Sequence, residues 1–461
     1  MRNALALYAV GLACVAAAAE RRLFLGEEAS FSPDGAHIAF QRMENGFIRA
    51  GVCPADGGAV TWLQQGPGHS VFPAWGTDGS IVYTFGHETN TAFAANVVQA
   101  TSGFNLRVWK DGVSTPLTFG RQRDYTASFS LDGRTVYYSS TSPAAHPPKG
   151  FFNAFQNAST IYACELGGSP REVVPMQGSS SGLVSPRVSP DGRFLVWAHV
   201  ANFFNTWRIA VARLDRPADY CFLTPMTMSA YAPAWHPDGS LLAYTGFTPG
   251  DSGWSVYVME LSTGAQKRLC DGRNPSFAPD GKSLLFDRDG SVWRRDLTAA
   301  DRPTSADVPA APMCDDARTI GVHAKFRFKR SDGLAHVFVA AYPEHGLGLQ
   351  LYFRDGHLKF ATRRPDGTFV AVDSDATFED GDVYEVWAAR TERELIVSVN
   401  GASPARLMQD DGFLPLSPAP TRIVKGNHFA GSVLSVELMQ GWPADLPRPV
   451  TRETLFGRNA K

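Results

Sequence analysis

The stretch FSPDGAHIAF, from Phe31 to Phe40, decides the fold, because the chain returns to the same phrase five more times. Each copy has an apolar or aromatic residue, an Asp-Gly turn and a short apolar run. The other copies are WGTDGSIVYTF from Trp75, FSLDGRTVYYS from Phe129, VSPDGRFLVWA from Val188, WHPDGSLLAYT from Trp235 and FAPDGKSLLFD from Phe277. Their turn aspartates, 42 to 59 residues apart, are Asp34, Asp78, Asp132, Asp191, Asp238 and Asp280. Repeats of about this length predict a series of identical supersecondary units.

The residues of each copy predict a β-hairpin followed by a second pair of strands. Asp-Gly between two apolar runs is a strong hairpin signal, because glycine accepts the positive φ that a tight turn needs. In the fifth copy the second pair is Ser255–Met259 and Gln266–Leu269, separated by a Ser-Thr-Gly turn. Four strands per copy predict a six-bladed β-propeller, because such sheets bury both faces only when they pack around an axis.

The sixth copy lacks a fourth strand of its own. After Ser291–Arg294 the chain contains Pro303, Pro309 and Pro312, and proline does not fit an ordinary ladder strand. The segment Arg22–Leu25 lies just before the first copy and is apolar enough to pair with the last one. We therefore predict that the start of the chain closes the ring.

These six copies resemble TolB-type, or PD40, β-propeller repeats, a WD40-like class whose signature is an apolar or aromatic residue, Ser-Pro-Asp-Gly and a short strand. The resemblance covers residues 20–300. It implies a TolB-like propeller, but it implies no particular activity, because one fold hosts many functions.

Composition and the first residues indicate where the protein acts. The formal net charge is −2 and no basic stripe occurs, so we expect no nucleic-acid partner. Residues 1–19 combine Arg2, an apolar run and Ala17–Ala19, which predicts a cleaved signal peptide and a periplasmic or secreted protein. A lipoprotein modified at Cys14 is the alternative. No later segment has the length and hydropathy of a transmembrane helix.

The mature chain would keep an odd number of cysteines, namely Cys53, Cys164, Cys221, Cys270 and Cys314. Cys53 and Cys164 occupy third-strand positions and are predicted to be buried as small apolar residues. Cys221 and Cys270 occupy fourth-strand positions and could pair in an oxidising compartment. None of them has the spacing of a zinc site.

Beyond a Pro-rich linker at 301–314, residues 315–441 form long alternating runs that predict an antiparallel β-sandwich, followed by a C-terminal tail at 442–461. The order of LQLYFRDGHLKF, VYEVWAAR and FAGSVLSVEL resembles the laminin-G, or concanavalin A-like lectin, superfamily, with a jelly-roll fold. The resemblance implies binding of glycans or protein surfaces. It leaves a Ca²⁺ site open in this domain, although the family's ligands do not transfer onto Asp380-Gly381-Asp382; no other metal or cofactor is expected.

The candidate site lies at one end of the predicted propeller. The long insertions, Gly86–Asn105, Ser142–Ser159 and Ala201–Asn205, all join a second strand to a third, so they share one end with the blade-to-blade connectors. Aromatic faces and amide groups suit sugar rings and hydroxyls. The predicted funnel ligands are His69, His87, Phe93, Phe104, Arg121, Arg123, Tyr125, Phe151, Phe152, Phe155, Phe203, Phe204, Tyr231 and Arg273.

A structural interpretation of these residues stands beside the functional one. Phenylalanines in long loops usually pack the loop against its own blade, and asparagines usually cap turns. Long loops in compact domains are nevertheless often binding loops, which favours a functional role for the cluster as a whole. The six turn aspartates need no functional role, because turn chemistry explains them.

The sequence favours an exported binding or scaffold protein, with no catalysis, that recognises a glycan or protein ligand through the funnel and the sandwich. One alternative is a polysaccharide-degrading, lyase-like enzyme with its site in the funnel, which needs a base and a charge-neutralising arginine or metal. Its concentrated candidates are His69, His87, Arg121 and Arg123. Another alternative is a TolB-like envelope adaptor that binds only proteins.

Overall fold

The computed structural model is all-β, with six four-stranded sheets and two five-stranded sheets among the residues that it describes. Those residues are 19–86, 104–120, 122–141, 159–174, 181–201, 207–224, 228–248, 251–304, 320–331, 333–342, 346–364, 366–391, 394–408, 413, 420, 422–440 and 452–456. The predicted signal peptide lies outside them, apart from residue 19. Contacts divide the chain into two units, 1–309 with 450–461, and 310–449.

The four-stranded sheets are the six blades of the predicted propeller, and each blade contains one copy of the repeat phrase at its first hairpin. Blade 1 contains β2 (Glu27–Phe31), β3 (His37–Glu44), β4 (Phe47–Pro54) and β5 (Thr61–Trp62). Blade 2 contains β6 (His69–Trp75), β7 (Ile81–Gly86), β8 (Asn105–Lys110) and β9 (Val113–Pro116). Blade 3 contains β10 (Arg123–Phe129), β11 (Thr135–Thr141), β12 (Ser159–Glu165) and β13 (Arg171–Val174).

The remaining blades repeat the same antiparallel order. Blade 4 contains β14 (Ser181–Val188), β15 (Phe194–Ala201), β16 (Trp207–Arg213) and β17 (Tyr220–Phe222). Blade 5 contains β18 (Ser229–Trp235), β19 (Leu241–Phe247), β20 (Ser255–Glu260) and β21 (Gln266–Asp271). Blade 6 contains β22 (Arg273–Phe277), β23 (Ser283–Arg288), β24 (Ser291–Asp296) and, from the start of the chain, β1 (Glu20–Leu25).

The predicted ring closure is confirmed. Strand β1 pairs antiparallel with β24, from Glu20 opposite Arg295 to Leu25 opposite Ser291. Glu20 adds ion pairs to Arg288 at 2.9 Å and to Arg295 at 2.7 Å. The last blade is thus completed by residues nearly 270 positions earlier in the chain, which ties the ring together at the junction of blades 1 and 6.

The second unit is a β-sandwich of two five-stranded antiparallel sheets. One sheet has the order β32 (Ala405–Met408), β31 (Glu394–Val399), β30 (Val383–Arg390), β25 (Ile320–Arg327) and β34 (Ser432–Gln440). The other has the order β29 (Phe369–Asp373), β28 (His357–Arg363), β27 (Gly346–Arg354), β26 (Ala335–Tyr342) and β33 (Arg422–Lys425). Alternating residues of both sheets, such as Phe326, Val386, Leu351 and Phe360, share one buried core, which is the arrangement that the alternation predicted.

The C-terminal segment, which the sequence predicts to be a tail, contains the short helix α1 (Arg452–Phe456) within the propeller unit. Leu455 is buried in a cluster from blades 4 and 5. Phe456 contacts the ring of Phe194, with 4.8 Å between centroids, and Arg452 donates to the carbonyl of Leu261. A helix this short depends on tertiary packing for its stability.

Cys53 and Cys164 are buried unpaired thiols, as predicted, while Cys270 is also an unpaired buried thiol, so it forms no disulfide with Cys221. Cys314 lies outside the described residues. Within the described part of the chain, no helix is long and apolar enough to cross a membrane.

Candidate functional site

The axis of the propeller contains a cavity of about 700 Å³. Its wall is built mainly from the innermost strand of every blade, namely β2, β6, β10, β14, β18 and β22. Consecutive strands of a blade are antiparallel, so the connectors and the second-to-third-strand loops emerge at one end of this cavity and the Asp-Gly hairpins at the other. The lining includes Phe104, Trp207 and Trp254, which lie at the starts of third strands, so the cavity extends to the end where the sequence placed the candidate site.

Each innermost strand carries a β-bulge at the same repeat position. The residue six positions before each turn aspartate has a positive φ of 51° to 55°, although none is glycine. The ladder register of each strand shifts across this residue, as in a bulge. All six residues line the cavity, and we call them the bulge ring: Glu28, Phe72, Thr126, Ser185, Ala232 and Asn274.

Three of the bulges turn a backbone N–H toward the preceding blade, where a side chain of the second strand accepts it. The amide of Ser185 instead donates to Thr126 Oγ1 of a first strand at 3.0 Å. The amide of Phe72 donates to Gln41 Oε1, and that of Asn274 donates to Thr245 Oγ1, both at 2.8 Å. The amide of Glu28 donates to Asp287 Oδ2 at 2.8 Å. These bonds satisfy backbone amides that have no partner in the interrupted strand ladder. They therefore hold the bulge ring in place and link neighbouring blades.

Asp287 is a buried carboxylate at the junction of blades 1 and 6. Its Oδ2 also accepts a bond from Asn274 Nδ2 at 2.9 Å, whereas Oδ1 has no partner among the described residues. Burial raises the pKa of Asp287 well above its ordinary value, the charge of Glu28 adds to the rise, and the two hydrogen bonds oppose it. The junction therefore holds two carboxyl groups close together.

Glu28 contributes the carboxyl group of the bulge ring, and its carboxylate has no hydrogen-bond partner within the described ranges. Burial in the cavity wall raises its pKa from 4.5 to about 7. The positive charges of Arg187 and Arg273 oppose the rise, while the charge of Glu27 reinforces it. Glu28 can therefore exchange a proton near neutral pH.

A second ring lies two residues further along each innermost strand, and we call it the middle ring: Ser30, Ala74, Ser128, Arg187, Ala234 and Ser276. Five members are small, so Arg187 is the one long side chain of this ring. Its Nη1 donates to the carbonyl of Thr126 at 3.2 Å and to that of Pro186 at 2.9 Å. Burial lowers the pKa of Arg187 and the charge of Glu28 opposes that change.

Aromatic side chains form much of the remaining wall. Toward the end with the blade-to-blade connectors, Phe72, Tyr231 and Trp254 are half-buried, and Tyr231 meets Trp254 edge to face with 5.0 Å between centroids. The hairpin end is lined by the residue that opens each repeat phrase: Phe31, Trp75, Phe129, Val188, Trp235 and Phe277. Apolar faces with a few convergent polar groups are typical of small-molecule sites.

Several predicted site residues fall on this wall. Phe104, Tyr125 and Tyr231 line the cavity. Phe104 is buried against Gly86, and burial raises the pKa values of Tyr125 and Tyr231. Arg273 lies at the start of β22, exposed and outside the lining, but its charge acts on both Glu28 and Tyr231.

His69 lies outside the lining of the axial cavity. Its side chain is fully buried, accepts the amide of Ile48 at Nδ1 over 3.0 Å and contacts the ring of Phe47. It opens β6 at the correct end of the blade, but it faces β4 of blade 1 rather than the axis. Arg123 is half-buried and is also absent from the lining. The other predicted residues lie outside the described residues: His87, Phe93, Arg121, Phe151, Phe152, Phe155, Phe203 and Phe204.

The sequence analysis gave no role to Glu28, Arg187 or Asp287. A signal for Arg187 was present, because aligning the six copies on the turn aspartate gives Ser, Ala, Ser, Arg, Ala and Ser at the fourth residue before it. No such signal marks Asp287, whose role depends on the neighbouring blade. No group of three or more His, Cys, Asp or Glu that could hold a metal ion occurs among the described residues.

Comparisons with known proteins give remote likenesses. No family model matches the chain. An uncharacterized protein from Agrobacterium fabrum is 26% identical over 156 residues, which cover 32% of this chain and 52%, or about half, of that relative. The solved TolB of Acinetobacter baumannii is 16% identical, with a TM-score of 0.44, over 57% of this chain and 64% of TolB, slightly less than two thirds of it.

Two solved enzymes show likenesses of the same order. An oligogalacturonate lyase from Vibrio parahaemolyticus is 13% identical, with a TM-score of 0.41, over 62% of this chain and 92% of the lyase. A gluconolactonase from Xanthomonas campestris is 14% identical, with a TM-score of 0.44, over 61% of this chain and 90% of the lactonase. Likenesses at this level carry no argument about activity.

Proposed function

We propose that this chain is an exported binding protein whose propeller holds a ligand in the axial cavity and performs no chemistry on it. One observation carries the proposal. A half-buried aromatic wall surrounds Glu28 and Arg187. The carboxylate of Glu28 and the Nη2 of Arg187 have no hydrogen-bond partner among the described residues. Desolvated polar groups are costly unless a ligand or water satisfies them. The cavity volume of about 700 Å³ lies within the range of small-molecule sites.

A glycan is the ligand class that we favour for this site, with a protein surface as the second choice. Rings such as Trp254 and Phe72 offer flat faces to a sugar, while Asn274 and Arg187 offer hydrogen bonds to its hydroxyls. The insertions between second and third strands are rich in Phe and Asn, and they follow strands that end at the connector end of the cavity. The laminin-G-like resemblance supports a second contact through the sandwich, and the predicted signal peptide supports a periplasmic or secreted location.

A lyase-like enzyme is the second candidate, because one observation favours it. Glu28 has a pKa of about 7 and lies within the electrostatic reach of Arg187 and Arg273. A lyase needs a base that removes a proton from the substrate and a positive charge that neutralises the anion this leaves. A carboxylate whose pKa lies near 7 can act as that base. A TolB-like adaptor for proteins is the third candidate, and it differs by having no affinity for small molecules.

The experiment is a glycan array probed with the mature chain, with Trp254→Ala and with the control Phe119→Ala. Trp254 lines the cavity, whereas Phe119 is 71% exposed. The proposal is supported if the mature chain binds a glycan, Trp254→Ala binds it more weakly and Phe119→Ala binds it equally well. Equal binding by all three proteins, or none by any, counts against it. Appearance of an unsaturated sugar with its ultraviolet absorbance would favour the lyase.

A further inference from the structure

Arg187 breaks the pseudo-symmetry of the propeller at the level where the cavity wall is otherwise lined by the smallest side chains. Five blades place Ser or Ala in the middle ring, and blade 4 alone places a guanidinium there. The five small side chains leave room beside it. A structural arginine would direct its donors into its own blade, but here only Nη1 bonds to backbone carbonyls.

The bonds of Nη1 hold the guanidinium in place while leaving its other edge available. Nε and Nη2 have no hydrogen-bond partner and form no ion pair within the described part of the chain. This edge of arginine presents two parallel N–H donors, a geometry that matches the two oxygens of a carboxylate. Half-burial in an aromatic-lined cavity strengthens such a bond, because water competes less.

We propose that the axial cavity binds its ligand through a carboxylate group, which Arg187 holds in the middle ring, and that Glu28 takes up a proton from solvent when this happens. The inference rests on the proposed binding function, since it names the chemistry of the ligand in the same cavity. The ligand carboxylate binds as an anion, and no covalent bond changes.

The proton uptake follows from the groups around Glu28. In the empty cavity the charge of Arg187 favours the ionised form of Glu28. A ligand carboxylate neutralises Arg187 and brings a second negative charge, so both effects favour the protonated form. The other groups that act on Glu28 are Glu27, which faces it with like charge, Arg273, which opposes protonation, and Asp287 and Tyr231, which share its electrostatic environment.

The test compares small carboxylates with their neutral primary amides. The probe pairs are lactate and lactamide, benzoate and benzamide, and glucuronate and glucuronamide, titrated into the mature chain. Four tryptophans of the cavity wall, Trp75, Trp207, Trp235 and Trp254, supply an intrinsic fluorescence signal. We expect at least one carboxylate to bind at least tenfold more tightly than its amide. Equal affinities in every pair, or no saturable carboxylate binding, would overturn the inference.

Variants assign the effect to the two residues. Arg187→Gln should abolish the preference for the carboxylate, and the control Arg193→Gln should keep it, because Arg193 lies on the hairpin of the same blade and pairs with Asp191. Wild-type affinity for the carboxylate should be about tenfold weaker at pH 8 than at pH 6. Glu28→Gln should remove that dependence, and this second variant keeps the test decisive if Arg187→Gln does not fold. A dependence unchanged in Glu28→Gln would overturn the proton uptake.

The two proposals fail in different ways. If amides and carboxylates bind equally and Trp254→Ala weakens both, the cavity is a binding site and only the carboxylate inference is wrong. If no probe binds and no glycan binds on the array, both proposals are wrong.

Discussion

Asp287 in the last blade accepts the backbone amide of Glu28 in the first blade at 2.8 Å, so the ring is joined on its inner side by a buried carboxylate. On the outer side, β1 joins the same two ends through a strand pairing. The inner bond also positions Glu28 in the bulge ring. Closure of the fold and the geometry of the candidate site therefore depend on the same junction.

Replacing Asp287 with Ala should lower the free energy of unfolding by about 2 kcal/mol, because the amide of Glu28 would lose its acceptor in a buried place. Asp287→Asn keeps an acceptor oxygen and should cost less than about 1 kcal/mol. Urea unfolding of both variants at pH 7 checks the order. Equal losses would contradict the role assigned to the hydrogen bond.

Glu20→Gln should destabilise the closure by about 1 kcal/mol, because Glu20 bridges Arg288 and Arg295 at partly buried positions. The matched control is Asp56→Asn, which removes an exposed ion pair with Arg21 and should change little. Thermal unfolding of both variants at low and high salt provides the measurement. A larger effect at Asp56 would refute the assignment.

Glu28 should make the protein less stable as the pH rises toward 7. Its pKa in the folded chain, about 7, lies above its ordinary value of 4.5, so the folded state binds the proton more tightly than the unfolded state. The resulting stabilisation is full below about pH 4.5 and is lost as the pH rises through 7. Glu28→Gln should therefore gain about 2 kcal/mol over wild type between pH 5 and pH 8, measured by urea unfolding. Parallel pH profiles of the two proteins would contradict this.

Gly86→Ala should displace Phe104 from the cavity wall, because a Cβ at this position would overlap its ring. We expect a loss of about 2 kcal/mol, typical of overpacking, together with weaker ligand binding. Gly253→Ala is the control, since no atom lies within 4 Å of its added Cβ. Unfolding and probe titration should separate the two variants, and equal behaviour would argue against the packing described.

Leu455→Ala should lower the free energy of unfolding by about 2 to 3 kcal/mol, because Leu455 is buried among residues of blades 4 and 5. Leu131→Ala removes the same atoms at a position that is 52% exposed and should cost less than about 0.5 kcal/mol. Thermal unfolding of the full chain measures both. A silent Leu455→Ala would show that α1 does not stabilise the propeller.

The repeat phrase carried most of the fold information. Its Asp-Gly turns and alternating runs act through local conformation, so they predicted the blades and even the donor strand Arg22–Leu25. The burial of the Cys53 and Cys164 thiols was predicted from their strand positions alone. The residues of the site were harder to predict from the sequence. Phe104, Tyr125 and Tyr231 line the cavity, but His69 does not, because the direction of its side chain depends on packing against Phe47 and Ile48.

The amino-acid sequence by itself determined the all-β architecture and the six blades, since period, turn chemistry and alternation are local properties of the chain. Only the tertiary structure decided that Glu28 interacts with Asp287 and Arg187, because their burial and mutual charges arise when strands far apart in sequence meet around one axis. It also decided that the C-terminal residues Leu455 and Phe456 pack on the propeller, a contact that no local pattern encodes.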